Sequence, residues 1–280
     1  MLADVVPLLC CPVCRAALSR DERILRCGAG HRYDIARQGY VTLLAGRAPV
    51  GDTAAMVTAR HAFLSTGHYD WLADLVASHA AEAMASGGPG AAVVDAGAGT
   101  GHYLARVLDR VPAAGIALDS SGYALRRAVR AHPRIGAVRA DLWRPLPLAD
   151  RTADLVLNVF APRNGAEFRR ILRPGGRLLT VTPTPRHLTE LVDRLGLLSV
   201  DAAKQSRLAD ALGDQFTAAR TEEREVTMSL DHAAVTALVG MGPSAWHADP
   251  DDLDSRIASL PPTMSVTASC SVTLWRPRPL

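Results

Sequence analysis

Val93-Val-Asp95-Ala-Gly97-Ala-Gly99-Thr-Gly101 reads as a strand, a glycine loop and the opening of a helix. The glycines let the backbone turn sharply and approach a ligand closely beneath a helix N-terminus. Their spacing is G-x-G-x-G, not the G-x-G-x-x-G of a dinucleotide fold, and an acid stands two residues before the first glycine. A carboxylate at Asp95 would repel a pyrophosphate. It suits a ligand with a cationic part, such as the ammonium of S-adenosylmethionine. Asp119 ends the next strand, 20 residues past Gly99, and can accept both hydroxyls of a ribose. Asp141 ends the third strand and can receive an adenine amino group.

Outward from this loop, strands and helices alternate, which predicts an α/β fold with a doubly wound parallel sheet. Strands are expected at Ala91–Ala96, Gly115–Asp119, Ile135–Ala140, Leu155–Phe160 and Arg177–Thr182, the last after the turn Arg173-Pro-Gly-Gly176. Helices are expected at His102–Val111, Tyr123–His132 and Ala166–Leu172, and near 187–195 and 201–213. Two late strands, Arg224–Leu230 and Ser265–Trp275, flank a helix at His232–Val239 and would give a mixed sheet with an antiparallel edge. Residues 46–88 begin with turn formers, offer Asp52 or Thr53 as a helix N-cap, and carry helical stretches at Met56–Leu64 and Tyr69–Met84. Three segments result: 1–45, 46–88 and 89–280.

The first segment contains Cys11-x2-Cys14-x12-Cys27-x3-His31, two close pairs of soft ligands with the spacing of a tetrahedral structural zinc site. Cys10 competes with Cys11, and the two-residue gap to Cys14 favours Cys11. Gly28-Ala-Gly30 breaks the helix that a C2H2 DNA finger would need. Cys270 lies in an apolar stretch and reads as core. Residues 1–47 hold seven arginines against four acids, whereas the rest of the chain balances at 24 of each sign, so the whole excess of +3 sits on the cysteine-rich module. Lys204 is the only lysine; arginine in its place is the usage of a G+C-rich genome more than a recognition signal. No apolar run reaches the length of a membrane span, and the N-terminus lacks the pattern of a signal peptide. The expectation is a cytoplasmic protein with reduced thiols and no membrane partner.

The chain resembles class I S-adenosylmethionine-dependent methyltransferases and, within them, the RlmA-type 23S rRNA (guanine-N1)-methyltransferases. The resemblance rests on Cys11-Pro-Val-Cys14, Cys27–His31 with Tyr33-Asp34, Gly39-Tyr-Val-Thr-Leu-Leu44, Gly51-Asp52-Thr53, Met56, Ala59-Arg60, Phe63-Leu64 and Gly67-His68-Tyr69. It continues through Val159-Phe-Ala-Pro162, Thr182-Pro183 and Pro185-Arg-His-Leu188. Asn158-Val-Phe-Ala-Pro-Arg-Asn164 and the arginine-rich composition are most similar to actinomycete members that confer resistance to macrolides such as tylosin. The resemblance implies a Rossmann-like, mixed seven-stranded sheet with a small N-terminal zinc-binding domain. It implies Zn2+ on Cys11, Cys14, Cys27 and His31. It also implies S-adenosylmethionine bordered by Tyr69, the Gly99-Thr100-Gly101-His102 loop and His187, beside Asp95, Gly97, Asp119 and Asp141. Other members carry Cys and Glu where this chain has Ala98 and Thr100, a departure that leaves the backbone cradle intact.

By the same resemblance the reaction is methylation of guanine N1 in the hairpin 35 loop of 23S rRNA, and a homodimer is implied that the residues themselves do not show. Asn158 and Pro162 end the fourth strand, where the acceptor sits in amino- and ring-nitrogen methyltransferases of this fold. Asn158 can orient a purine edge and Phe160 can stack on a flipped base, but an amide cannot take the N1 proton. Trp246-His247 is a weaker stacking candidate. Arg15, Arg20, Arg23, Arg26 and Arg32 would hold RNA phosphates. The alternative is a small-molecule methyltransferase with a purely structural zinc module. The balanced charge of residues 48–280 favours it mildly, and the charge gathered on the module opposes it.

Overall fold

The structure is a computed structural model that describes residues 1–46, 51–85, 88, 90–197, 212–242 and 250–279. The stacking candidate Trp246-His247 and nearly all of the helix expected over 201–213 lie outside these residues.

The chain opens with a one-turn helix, α1 (Leu2–Val5), and a 3-10 turn (Val6–Leu8). A three-stranded antiparallel ribbon follows, β1 (Leu18–Asp21), β2 (Ile24–Cys27) and β3 (Arg32–Asp34). Then come β4 (Val41–Thr42) and the helices α2 (Ala54–Leu64) and α3 (Asp70–Ala83). Thr53 is the cap of α2, its side chain accepting from the Met56 amide at 3.3 Å.

The remaining elements are β5 (Ala92–Ala96), α4 (His102–Arg110), β6 (Ala114–Asp119), α5 (Gly122–Ala131), β7 (Ile135–Arg139), β8 (Ala153–Val159), α6 (Gly165–Ile171), β9 (Leu172–Pro183) and α7 (Thr189–Leu195). They end with β10 (Phe216–Asp231), α8 (His232–Gly240), α9 (Pro250–Ala258) and β11 (Thr263–Pro277). Among the described residues the main sheet has eight strands in the order β10-β11-β9-β8-β5-β6-β7-β4. Strands β4 to β9 run parallel, and β10 and β11 close the edge antiparallel.

Residues 89–280 supply the expected seven strands. The eighth is β4, from the tail of the cysteine-rich segment, pairing Val41 with Val138 and Thr42 with Arg139. Arg173–Gly176, expected as a turn before a strand, instead bulge out of one long strand: Leu172 pairs with Ala153, and pairing resumes at Arg177 with Leu155.

Every residue of β5 is buried, as a central parallel strand with two covered faces requires. On one face Val93, Ala117, Leu155 and Leu157 pack with Leu72 and Val76 of α3 and Leu104 and Leu108 of α4. On the other, Val94, Ala96, Ile116, Val138 and Val156 pack with Leu2, Val5, Val6 and Leu9. Gly136 makes room for this start of the chain, since a Cβ there would stand 2.3 Å from Val5 Cγ2. The reversal of strand order falls between β5 and β8, and such a switch point is where open α/β sheets hold their ligands.

Candidate active site and metal centre

The glycine loop leaves β5 at this switch point. Gly97 has φ +90°, and a Cβ there would lie 2.3 Å from Ala161 Cβ, so the β5 and β8 tails touch only because the side chain is absent. Gly101, at φ +80°, caps α4. Asp119 fastens the loop: its Oδ2 accepts from the Gly99 amide at 2.8 Å and its Oδ1 from the Ser121 amide at 2.8 Å. Burial raises its pKa against the pull of those two bonds. Asp95 lies beneath, almost wholly buried, with Oδ1 lacking any partner. Burial, and then the neighbouring Asp119 carboxylate, pushes Asp95 up to about 8.

Thr100 is buried, and His102 opens α4 with Nε2 buried and unpartnered. Tyr69 lies against His187, with its hydroxyl 3.2 Å from Nε2. The Ser269 amide donates to His187 Nδ1 at 3.1 Å, which fixes the neutral ring's proton on Nε2. Burial drives His187 down to about 4, so the ring is neutral near pH 7. Nε2–H therefore donates to the Tyr69 oxygen, leaving the hydroxyl proton for another acceptor.

Asn158 is fully buried at the end of β8, its Nδ2 donating to Ala96 O (3.0 Å) and Pro162 O (2.9 Å) while Oδ1 has no partner. Phe160, two residues on, takes φ +52° and is 40% exposed, a side chain held in the open by a strained backbone. Its ring centroid lies 6.0 Å from that of His187. Asp141 stands beyond β7, where its Oδ1 accepts from the Trp143 amide at 2.9 Å. No hydrogen bond joins it to the other site residues among those described.

Cys11, Cys14, Cys27 and His31 form the metal-type cluster found among the described residues, their ligand atoms all within 4.8 Å of one another. Zn–S bonds of about 2.3 Å in a tetrahedron put sulfurs about 3.7 Å apart. Cys14 and Cys27 Sγ are 3.6 Å apart, and His31 Nδ1 lies 3.6 Å from Cys11 Sγ and 3.3 Å from Cys27 Sγ. The donor set fits Zn2+ through His31 Nδ1. Cys10 stays outside this cluster, buried and bridged to Ala17 in an antiparallel pair. Burial pushes the Cys11 thiol up, but bonds from the Tyr33 hydroxyl (2.9 Å) and the Cys14 and Val13 amides outweigh it and bring Cys11 to about 6. Tyr33 thus supports the thiolate from behind.

Residues 9–49 match the family described as RlmA, N-terminal, a zinc ribbon, and residues 93–176 match a methyltransferase domain. The chain is 54% identical to a protein of Micromonospora griseorubida assigned as a 23S rRNA (guanine-N1)-methyltransferase, over 99% of this chain and 100% of that one. It is 52% identical to the 23S rRNA (guanine(748)-N1)-methyltransferase of Streptomyces fradiae, over the full length of both. This chain belongs to the RlmA-type 23S rRNA (guanine-N1)-methyltransferases. A Bacillus subtilis relative shares 29% identity over 86% of this chain and 88% of its own.

An RlmA-type enzyme uses S-adenosylmethionine, and the site fits such a ligand. Among the described residues the buried side-chain atoms without a partner are Arg60 Nε, Trp71 Nε1, Asp95 Oδ1, His102 Nε2, Asn158 Oδ1 and Arg163 Nε. Their segments are the glycine loop, the β8 tail and the two helices packed beside them, so unmet polarity gathers where a polar ligand would supply partners. By contrast, a groove of about 900 Å3 beside α2 and α8 is lined mainly by small residues such as Ala59, Ala62 and Ala237.

Sequence reasoning gave no role of their own to Arg60, Trp71 and Arg163. Arg60 Cδ lies 3.5 Å from a Cβ built on Gly99, and its Nη2 donates to Asp52 Oδ2 (2.7 Å) and Met241 O (3.0 Å). The linear pattern offers no signal for that position. Arg15, expected on RNA phosphate, is exposed, and its guanidinium forks onto Leu146 O (2.6 Å) and Leu148 O (2.8 Å), docking the ribbon against the methyltransferase fold.

Proposed function

We propose that this chain methylates N1 of guanine 748 in the hairpin 35 loop of 23S rRNA, in the cytoplasm, and that the modification weakens binding of macrolides such as tylosin. The observation that carries this reading is 52% identity, over both whole chains, to a relative whose name specifies guanine 748. Residues 1–45 would engage RNA, 46–88 would complete the cofactor site, and 89–280 would perform the chemistry.

S-adenosylmethionine, when bound, supplies an electrophilic methyl group on a sulfonium. Asp95, relieved of the charge penalty of burial by a cation, would hold the ammonium, with Gly97, Gly99, Thr100, Gly101 and His102 shaping the cradle. Asp119 has lone pairs left for the ribose hydroxyls, because each oxygen spends one on a backbone amide. Asp141 keeps Oδ2 for the adenine edge. Tyr69, oriented by His187, points a free hydroxyl proton into the site. Asn158 is anchored through Nδ2, so its Oδ1 stands fixed to receive a donor from the guanine edge, and Phe160 would stack on the extruded base. Positioning supplies much of the rate, since in-line displacement needs N1 at attack distance and in alignment. Arg20, Arg23, Arg26 and Arg32 would contact phosphate.

Primer extension on 23S rRNA from a host with and without the gene tests this, because an N1-methylated guanine blocks pairing and halts the polymerase. A stop at guanine 748 with raised tylosin tolerance is expected. Full read-through in both hosts would overturn the reading.

A further inference from the structure

Methyl transfer to guanine N1 requires N1 to lose its proton, and the groups nearest the acceptor strand are already committed, while His102 Nε2, though unpartnered, is buried at the start of α4 in the cofactor cradle. Both ring nitrogens of His187 are engaged, Nε2 with Tyr69 and Nδ1 with the Ser269 amide. Asp119 is tied into the glycine loop through both oxygens, and Asp95 lies beneath that loop. The β8 tail that carries Asn158 and Phe160 also carries a buried cation.

Arg163 is 7% exposed, its Nε is buried without a partner, and among the described residues no carboxylate pairs with it. A guanidinium withdrawn from water without a counter-charge costs several kcal/mol. Burial lowers its pKa only to about 10, so it stays charged at neutral pH. The loop around it is fixed at several points. Pro162 O accepts from Asn158, Asn164 Oδ1 caps α6 by accepting from the Glu167 amide at 3.3 Å, and Asn164 Nδ2 donates to Leu142 O at 2.9 Å. Ala161 is pressed against Gly97. The cation therefore sits in a rigid frame three residues beyond exposed Phe160 and one beyond the carbonyl that anchors Asn158.

We infer that Arg163 is a catalytic residue that donates to guanine O6 and so draws the proton off N1. This rests on the guanine-N1 reading above. When N1–H ionises, the pair left on N1 spreads onto O6, and a planar fork of N–H donors there stabilises that charge. The proton passes to solvent water. The N1 pair forms the bond to the methyl carbon, and the pair of the broken S–C bond stays on the thioether sulfur. Arginine also matches the paired O6 and N7 acceptors of guanine, so the same contact would select guanine over adenine, whose amino group is a donor. A splayed base reaches a buried guanidinium more readily than a backbone phosphate does, which is why O6 is assigned and not phosphate.

The test uses the full-length zinc-loaded protein, a hairpin 35 transcript and single-turnover rates across pH 6 to 10. Wild type, R163Q and R163K are compared, with S-adenosylmethionine affinity measured by calorimetry. For wild type the rate should climb tenfold per pH unit to a plateau. In R163Q the plateau should move to higher pH, with a loss of about 100-fold at pH 7 that shrinks as pH rises. R163K should recover part of it, and cofactor affinity should hold. A transcript with 6-thioguanine at the target, whose N1 proton is more acidic, should rescue R163Q more than wild type. A pH profile of unchanged shape, with the same loss at every pH, would overturn the inference. So would weaker RNA binding with a normal saturated rate, the mark of a phosphate contact. If R163Q fails to fold, R163K and the thioguanine ratio carry the same decision. A wild type that leaves the transcript unmethylated at every pH sinks the guanine reading itself, a separate outcome.

Discussion

Asp95 combines burial, a neighbouring carboxylate and an unpartnered oxygen, and together these make its proton a reporter of cofactor binding. With its pKa near 8 the group is mostly protonated in the free protein at pH 7, whereas an ammonium ligand needs the carboxylate. Binding should therefore release a proton below pH 8, and affinity should tighten by up to tenfold per pH unit as pH rises toward 8, then level off. Calorimetry in two buffers of different ionisation enthalpy checks this, and binding without proton release would contradict it. Stability moves the other way. A carboxyl whose folded pKa exceeds its unfolded value holds extra protons in the folded state between about pH 4 and 8, so that contribution is lost as pH rises through the window. Asp95→Asn should lack this loss. It should be more stable than wild type near pH 8 in urea melts, by several kcal/mol, converge with it below pH 4, and bind S-adenosylmethionine at least ~100-fold more weakly.

The ribbon β1–β3 shows what a metal must contribute at the scale of an element. Its strands bury only Leu18, Leu25 and Cys27, too little apolar surface to hold three short strands unaided. Zinc affinities of ~10–16 kcal/mol in small modules exceed that burial. A chelator, or Cys14→Ser, should open residues 11–35 to proteolysis and strip amide-exchange protection from β1–β3 while β5 to β8 keep theirs. Full protection after metal removal would count against a zinc-held ribbon. Ligand spacing made the metal site of this element readable from the sequence, though not its strands, and continuous apolar runs made β5 to β8 readable. Elements with weaker markers were legible only in part. β10 begins eight residues before the expected Arg224 because Thr217–Arg224 lie almost wholly exposed and show no alternation. The helix α9 was not foreseen. Asp95 and Asp119 stood out because a glycine loop frames them, whereas Arg60 and Arg163 acquire meaning only from what the fold does or does not place opposite them.

For the molecule as a whole, the start of the chain is part of the methyltransferase core. Leu2, Val5, Val6 and Leu9 cover the sheet face that carries Val94, Ile116 and Val138; β4 extends the same sheet; and Arg15 clasps the Leu146 and Leu148 carbonyls. In many α/β folds helices cover both faces, so a working enzyme without the ribbon could exist only if something else sealed this one. Deleting residues 1–44 should strip those four side chains from the sheet at about 1.5–3 kcal/mol each, a loss comparable to the whole margin of a typical domain. The truncated protein is expected in the insoluble fraction, or with a cooperative urea transition lost, and without S-adenosylmethionine binding. A point variant separates docking from burial. Arg15→Met keeps the covering residues and the zinc ligands but removes the clasp, so cofactor affinity should hold within about threefold while rRNA methylation falls, since only the ribbon's position relative to the cleft has changed. If the truncated protein instead folded, bound cofactor and methylated a small acceptor, the ribbon would be an appendage and the small-molecule alternative would regain its standing.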